Sequence, residues 1–295
     1  MTFNDNARID TSKVQRRGGA GRKTAMIGGG GALGVLVLFI ASQLLGVDLT
    51  PLANTMGVDT GQSSSSGQPS GLENCETGAD ANADDECRMA AAADSIDRFW
   101  ETQVNGYRSP QVVLYSDYTD SGCGTASAAI GPFYCPSDES IYMDTAFFST
   151  LRNDYGASGG PLAQMYVLAH EWGHHISNLT GALSSVGRDT GPASGSVRLE
   201  LQADCYAGAW VRDASKVTDS SGVPFLQPVS ESEIADAMDA AATVGDDHIQ
   251  QQAGQRVNPD SFSHGSSEQR QHWFQVGYQR GALSCDTFAV SANEL

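Results

Sequence analysis

Hydrophobic and polar positions divide the chain into regions with different periods. Residues 24–47 carry no charged side chain and are apolar almost throughout. A run of that length exceeds the roughly 20 residues that cross a bilayer as a helix. The next stretch, 48–72, is dominated by Gly, Ser, Gln and Pro, with too little apolar surface to order itself. Beyond it, Leu162, Tyr166, Ala169, Gly173 and Ile176 recur at three- and four-residue spacing, the period of an amphipathic helix. Pro161 suits the first turn of that helix and Gly181 its end. Similar patterns predict helices near 88–104, 196–213, 230–252 and 266–281, with Ser196 a cap for the third of the five and Ser266 or Ser267 for the last. The runs 111–117 and 140–148 are rich in β-favouring residues with partial alternation, and predict a small sheet.

Charge sharpens this division. The chain has 35 Asp+Glu against 17 Lys+Arg, a net charge of −18. Arg8, Lys13, Arg16, Arg17, Arg22 and Lys23 all precede the apolar run, whose other flank begins at Asp48. Under the positive-inside rule this places the N-terminus in the cytoplasm and everything after residue 47 outside. The expected organisation is a basic cytoplasmic tail (1–23), a transmembrane helix (24–47), a linker (48–72) and an exported domain (73–295). The expected location is therefore the cell membrane, single-pass, with the membrane contacted through 24–47. The acidic balance argues against a nucleic-acid partner, since phosphate binding needs clustered Lys and Arg.

All six cysteines, Cys75, Cys87, Cys123, Cys135, Cys205 and Cys285, follow the apolar run. An even count in an oxidising compartment points to disulfides, with no C-x2-C pair to suggest a zinc cluster. Pairing nearest neighbours gives Cys75–Cys87 and Cys123–Cys135 and leaves Cys205–Cys285, although six cysteines allow about 15 connectivities. Asp80, Asn82 and Asp84 begin like a calcium loop. Asp85 and Ala91 then stand where Gly and Glu are needed, so an ordinary acidic loop is expected.

The densest chemistry lies at His170-Glu171-Trp172-Gly173-His174. On a helix, residues i and i+4 share a face, so both imidazoles reach one metal ion. Glu171 adjoins His170 and can serve as base toward a water activated by zinc. His175 points elsewhere around the helix and reads as a neighbour. Thr180 stands where one class of such motifs has a third histidine, so the third ligand must come from downstream. Glu200 and Asp204 are again i and i+4, flanked by Ala203 and Ala207 that permit close helix packing. Glu200 is the expected third ligand. Asp204 is the expected acceptor for the distal N–H of a liganding histidine. His264 and Arg270, in a Ser/Gly-rich turn entering the last helix, are candidates for stabilising charge on a reacting carbonyl.

The segments HEWGHH, RLELQADCYAGAW and SFSHGSSEQRQHWF, with SGCGTASAAIGPFYCPSDESIYMDTAFF upstream, resemble the bacterial family of neutral zinc metallopeptidases. The resemblance covers most of residues 90–290. It implies one bound Zn2+ per chain held by His170, His174 and Glu200, with Glu171 as catalytic base. It also implies disulfides Cys123–Cys135 and Cys205–Cys285, and a catalytic role for His264. The second helix more distantly resembles the gluzincin branch of zinc peptidases. The turn at His264 resembles a His-Pro…Arg turn in that branch, with Gly265 here in place of proline and Arg270 as the matching arginine. The expectation is thus an α+β, mainly helical zincin-like domain with a small sheet, preceded by one transmembrane helix. Its expected activity is hydrolysis of peptide bonds in a peptide or protein substrate. A non-catalytic zinc-containing envelope scaffold and a hydrolase of a cell-wall amide are the alternatives; oligomeric state is left open.

Overall fold

The computed structural model describes residues 2–17 and 72–295, apart from 117, 128–130, 154, 155, 157 and 188. After the N-terminal strand β1 (Val14–Arg17) come helices α1 (Gly78–Ala83) and α2 (Asp85–Gln103). Strands β2 (Gln111–Tyr115), β3 (Tyr118–Ser121), β4 (Gly124–Ser127), β5 (Phe133–Cys135) and β6 (Ser140–Asp144) follow. Helices α3 (Phe147–Asn153), α4 (Pro161–Leu179), α5 (Gly195–Asp213), α6 (Glu231–Thr243), α7 (Asp246–Gln252) and α8 (Ser267–Arg280) complete the chain.

The main sheet has the order β1-β2-β6-β5. β1 and β2, and β2 and β6, run parallel, while β5 is antiparallel to β6. β3 and β4 form a separate hairpin. Every residue of β6 is buried, as expected of a central strand covered on both faces. α4 presents Leu162, Tyr166, Ala169, Gly173 and Ile176 to the core, the face read from their spacing. It begins at Pro161, as expected.

Three helices are pressed together by missing side chains. A Cβ on Gly173 of α4 would lie 2.7 Å from Ala203 Cα of α5. One on Gly208 of α5 would lie 2.1 Å from the Phe274 carbonyl of α8, and one on Gly277 of α8 only 1.8 Å from the Cys205 carbonyl. Disulfides join Cys75–Cys87, Cys123–Cys135 and Cys205–Cys285, the last tying α5 to the C-terminal segment. No described cysteine is free.

Two expectations are corrected. No helix among the described residues is long and apolar enough to cross a membrane, so neither the preceding transmembrane helix nor the single-pass membrane location is supported. Residues 24–47 and 48–71 of the linker lie outside the described residues. The basic N-terminal stretch, expected as a cytoplasmic tail apart from the domain, instead supplies β1, with Val14 opposite Val112 and Arg17 opposite Tyr115. Phe3, Ala7 and Val14 are buried in the main core.

Smaller differences are local. The helix expected over 230–252 breaks at Val244–Gly245 into α6 and α7, because Gly245 passes close to the backbone of Ser267 and Asp246 turns to grip the following loop. The strand expected over 140–148 stops at Asp144, and Phe147 opens α3. Ser194, rather than Ser196, caps α5 by accepting from the Val197 N–H; the Ser196 hydroxyl donates to the Asp189 carbonyl.

Candidate active site

α4 and α5 bring His170, His174 and Glu200 together. Their ligating atoms all lie within 4.8 Å of one another. Nε2 of His170 is 3.2 Å from Glu200 Oε2, and Nε2 of His174 is 3.5 Å from Glu200 Oε1. Two imidazoles and one carboxylate are the donor set of a catalytic zinc site, with a coordination position to spare. His170 and Glu200 are buried and His174 nearly so, which shields the cluster from competing solvent.

A hydrogen bond from its far ring nitrogen fixes His170. Its Nδ1 donates to Asp204 Oδ1 at 2.8 Å, leaving Nε2 toward the cluster. Asp204 is itself gripped by Arg270, whose Nε and Nη2 donate to the two carboxylate oxygens at 2.8 and 3.0 Å. The Tyr166 hydroxyl donates to the same Oδ1. Arg270 Nη1 also reaches the Val244 carbonyl at 3.1 Å, linking α8 to the end of α6. Arg270 and Asp204 are both deeply buried. Thus two residues expected to support the site form one ion pair behind it.

Electrostatics follow from that burial. Burial pushes Asp204 up, but the adjoining Arg270 and His170 outweigh it and hold its carboxyl below the usual range. Burial likewise opposes ionisation of Glu200, and His174 and His170 win, pulling it down. Burial pushes His170 down, yet Asp204 and Glu200 carry it up to about 10. His174 has no such second carboxylate bonded to it, and burial takes it down to about 4. Burial pushes Glu171 up to about 7, against the pull of His170. Glu171 adjoins β5, where the backbone of Tyr134 bonds it.

β5 is held against α4 by His175. Its Nδ1 accepts from the Tyr134 hydroxyl at 3.0 Å, and its Nε2 donates to the Arg108 carbonyl at 2.7 Å. Both ring nitrogens are used away from the cluster.

His264 lies in the loop before α8. Its Nδ1 is 2.9 Å from Asp246 Oδ1. Asp246 Oδ2 accepts the backbone N–H groups of Ser263, His264 and Gly265 at 2.7, 2.7 and 3.0 Å. Burial lowers His264, but the Asp246 hydrogen bond and charge, with Glu200 adding, raise it overall. Nε2 of His264 is buried and has no hydrogen-bond partner. Gly265, with φ +93, allows the turn that replaces the expected proline geometry. Asp246 was not singled out as a site residue from the sequence. Its partner His264 is 18 residues further on, a separation that local spacing does not reveal.

A His-His-Glu cluster with an adjacent carboxylic acid on an H-E-x-x-H helix is a donor set that could hold a metal ion. Comparison with known proteins gives the family. Residues 3–288 match the model of the putative neutral zinc metallopeptidases, and the chain belongs to that family. It is 47% identical over 294 residues to an uncharacterized protein of Mycobacterium tuberculosis H37Rv, covering 99% of each chain. It is 35% identical over 275 residues to the uncharacterized protein YpfJ of Escherichia coli K12, covering 89% of this chain and 88% of that one. No solved structure matches it.

Proposed function

We propose that this protein is a zinc-dependent peptidase whose single metal is held by His170, His174 and Glu200. The observation that carries the reading is the convergence of those three ligating atoms with Glu171 one residue from His170 on the same helix. Zinc bound there supplies Lewis acidity to a substrate carbonyl and acidifies water.

The chain's own groups do the rest. Glu171, buried and one residue from His170 on the same helix, takes a proton from the attacking water and returns it to the leaving amine. His264 presents Nε2 as a donor toward the negative charge that develops on the carbonyl oxygen, and Asp246 keeps it protonated and aimed. Asp204, braced by Arg270 and Tyr166, keeps His170 in the tautomer that frees Nε2. Three protein ligands rather than four favour a catalytic over a closed structural site.

The test is zinc content together with hydrolysis of a mixed peptide library. Wild type should hold one zinc and cleave. Glu200→Ala should lose both properties. Glu171→Gln should keep zinc and lose turnover by a factor of about 10² to 10⁴. Undiminished cleavage by Glu171→Gln would overturn the assignment of the base.

A further inference from the structure

The N-terminal segment is woven into the domain at successive points. Phe3 donates its N–H to Asn82 Oδ1 and accepts from Asn82 Nδ2, at 2.9 and 3.0 Å. It pairs with Leu226 as an antiparallel bridge, and only 1% of it is exposed. Gln227 donates to the Thr2 carbonyl, and Asn4 to that of Phe225. Arg8 bridges Thr77 and donates its N–H to Asp219 Oδ2. Asp10 donates to Asp94, and the ladder of β1 on β2 follows. A Cβ on Gly78 would sit 1.9 Å from the Asn4 carbonyl, so α1 starts with glycine where this segment passes.

The basic side chains are used in the same way. Lys13 pairs with Asp97 at 3.1 Å and Arg16 with Glu86 at 3.3 Å. Arg17 donates to the Asp120 carbonyl and lies over the Tyr142 ring. A segment rich in Lys and Arg thus lands on an acidic domain, and the charge asymmetry of the sequence is complementarity within one fold.

We propose that residues 2–17 and 72–295 form one folding unit in one compartment, with the N-terminal segment completing the sheet. Val14 of the first described stretch and Leu72 at the start of the second are buried in the same core. Both ends of the intervening run therefore lie on the same side of any boundary the protein meets. A tail and domain parted by a membrane would break β1–β2 pairing and empty the Phe3 site. Three disulfides in the domain place this shared compartment among the oxidising ones. The inference does not depend on the peptidase reading.

The experiment uses the full chain in bacterial cells. An epitope is added before Thr2, another after Leu295, and protease is applied to spheroplasts and to lysed cells. Both epitopes should show the same accessibility in each preparation. Opposite accessibility in spheroplasts overturns the proposal. In parallel, Phe3→Ala in the purified full chain should lower the melting temperature of the domain by about 10 °C, the scale expected for emptying a buried phenylalanine site. An unchanged melting temperature overturns it as well.

Discussion

Replacing Arg270 by Met would test the brace behind the metal cluster. The guanidinium donates twice to Asp204, at 2.8 and 3.0 Å, and both residues are almost wholly excluded from solvent. Removing Arg270 leaves Asp204 with its Oδ1 contacts to His170 and Tyr166 but strips Oδ2 of its partner, and breaking a buried pair in this way costs about 3–5 kcal/mol. At roughly 2–4 °C per kcal/mol for a domain of this size, the melting temperature should fall by about 6–20 °C. Adding Asp204→Leu removes the stranded charge, and most of that loss should be recovered, because well-packed apolar groups can replace a buried ion pair at little cost. Zinc affinity behaves differently. The double variant has no acceptor for His170 Nδ1, so affinity should stay about 10- to 100-fold below wild type. Differential scanning calorimetry of the zinc-free proteins reads the first quantity, and competition with a chelator reads the second. A loss below about 1 kcal/mol in Arg270→Met would mean water reaches the pair. Wild-type zinc affinity in the double variant would mean that Asp204 does not orient His170.

Other outcomes follow from the same geometry. Zinc must displace the proton that Asp204 and Glu200 hold on His170 up to about 10, whereas His174, at about 4, is already neutral. Affinity should therefore rise about tenfold per pH unit between pH 7 and 9, with about one proton released, as measured by titration calorimetry in buffers of different ionisation enthalpy; a flat profile would refute it. Asp246→Asn and His264→Ala should each lower kcat by about 10²–10³ with little change in KM, and the double variant should be no slower than the worse single one. Gly277→Ala would drive a methyl into the Cys205 carbonyl and should destabilise the fold by about 2 kcal/mol or more by thermal melt, despite the better helix propensity of alanine.

How much was legible in the sequence depended on whether a feature is local. His170, Glu171 and His174 could be read because helix geometry alone places them, and the same holds for Glu200 and Asp204 on α5. Their convergence needed a contact that spacing does not state, although alanines at 203 and 207 hinted at close packing. Arg270 and His264 were suggested by a turn, but their partners Asp204 and Asp246 are 66 and 18 residues away. The N-terminal strand left almost no signal. Val-Gln-Arg-Arg has one apolar residue, and what holds it is a ladder with β2 and acids supplied by α2. Its bases carry a topology signal in the sequence, while their partners lie within the fold. The β3–β4 hairpin was likewise hidden, since Ala126 and Thr119 are its only buried residues.

The position of β1 bears on how the protein should be handled. A shortened chain starting at residue 73 is the natural choice from the sequence, and it would leave out β1. The edge of β2 would then offer a row of unpaired amides and carbonyls beside Val112, Val113 and Leu114. An open, apolar strand edge is a template for pairing with a second molecule, and the sheet can grow from chain to chain. Precipitation of such a fragment would report a missing strand and carry no information about the metal site.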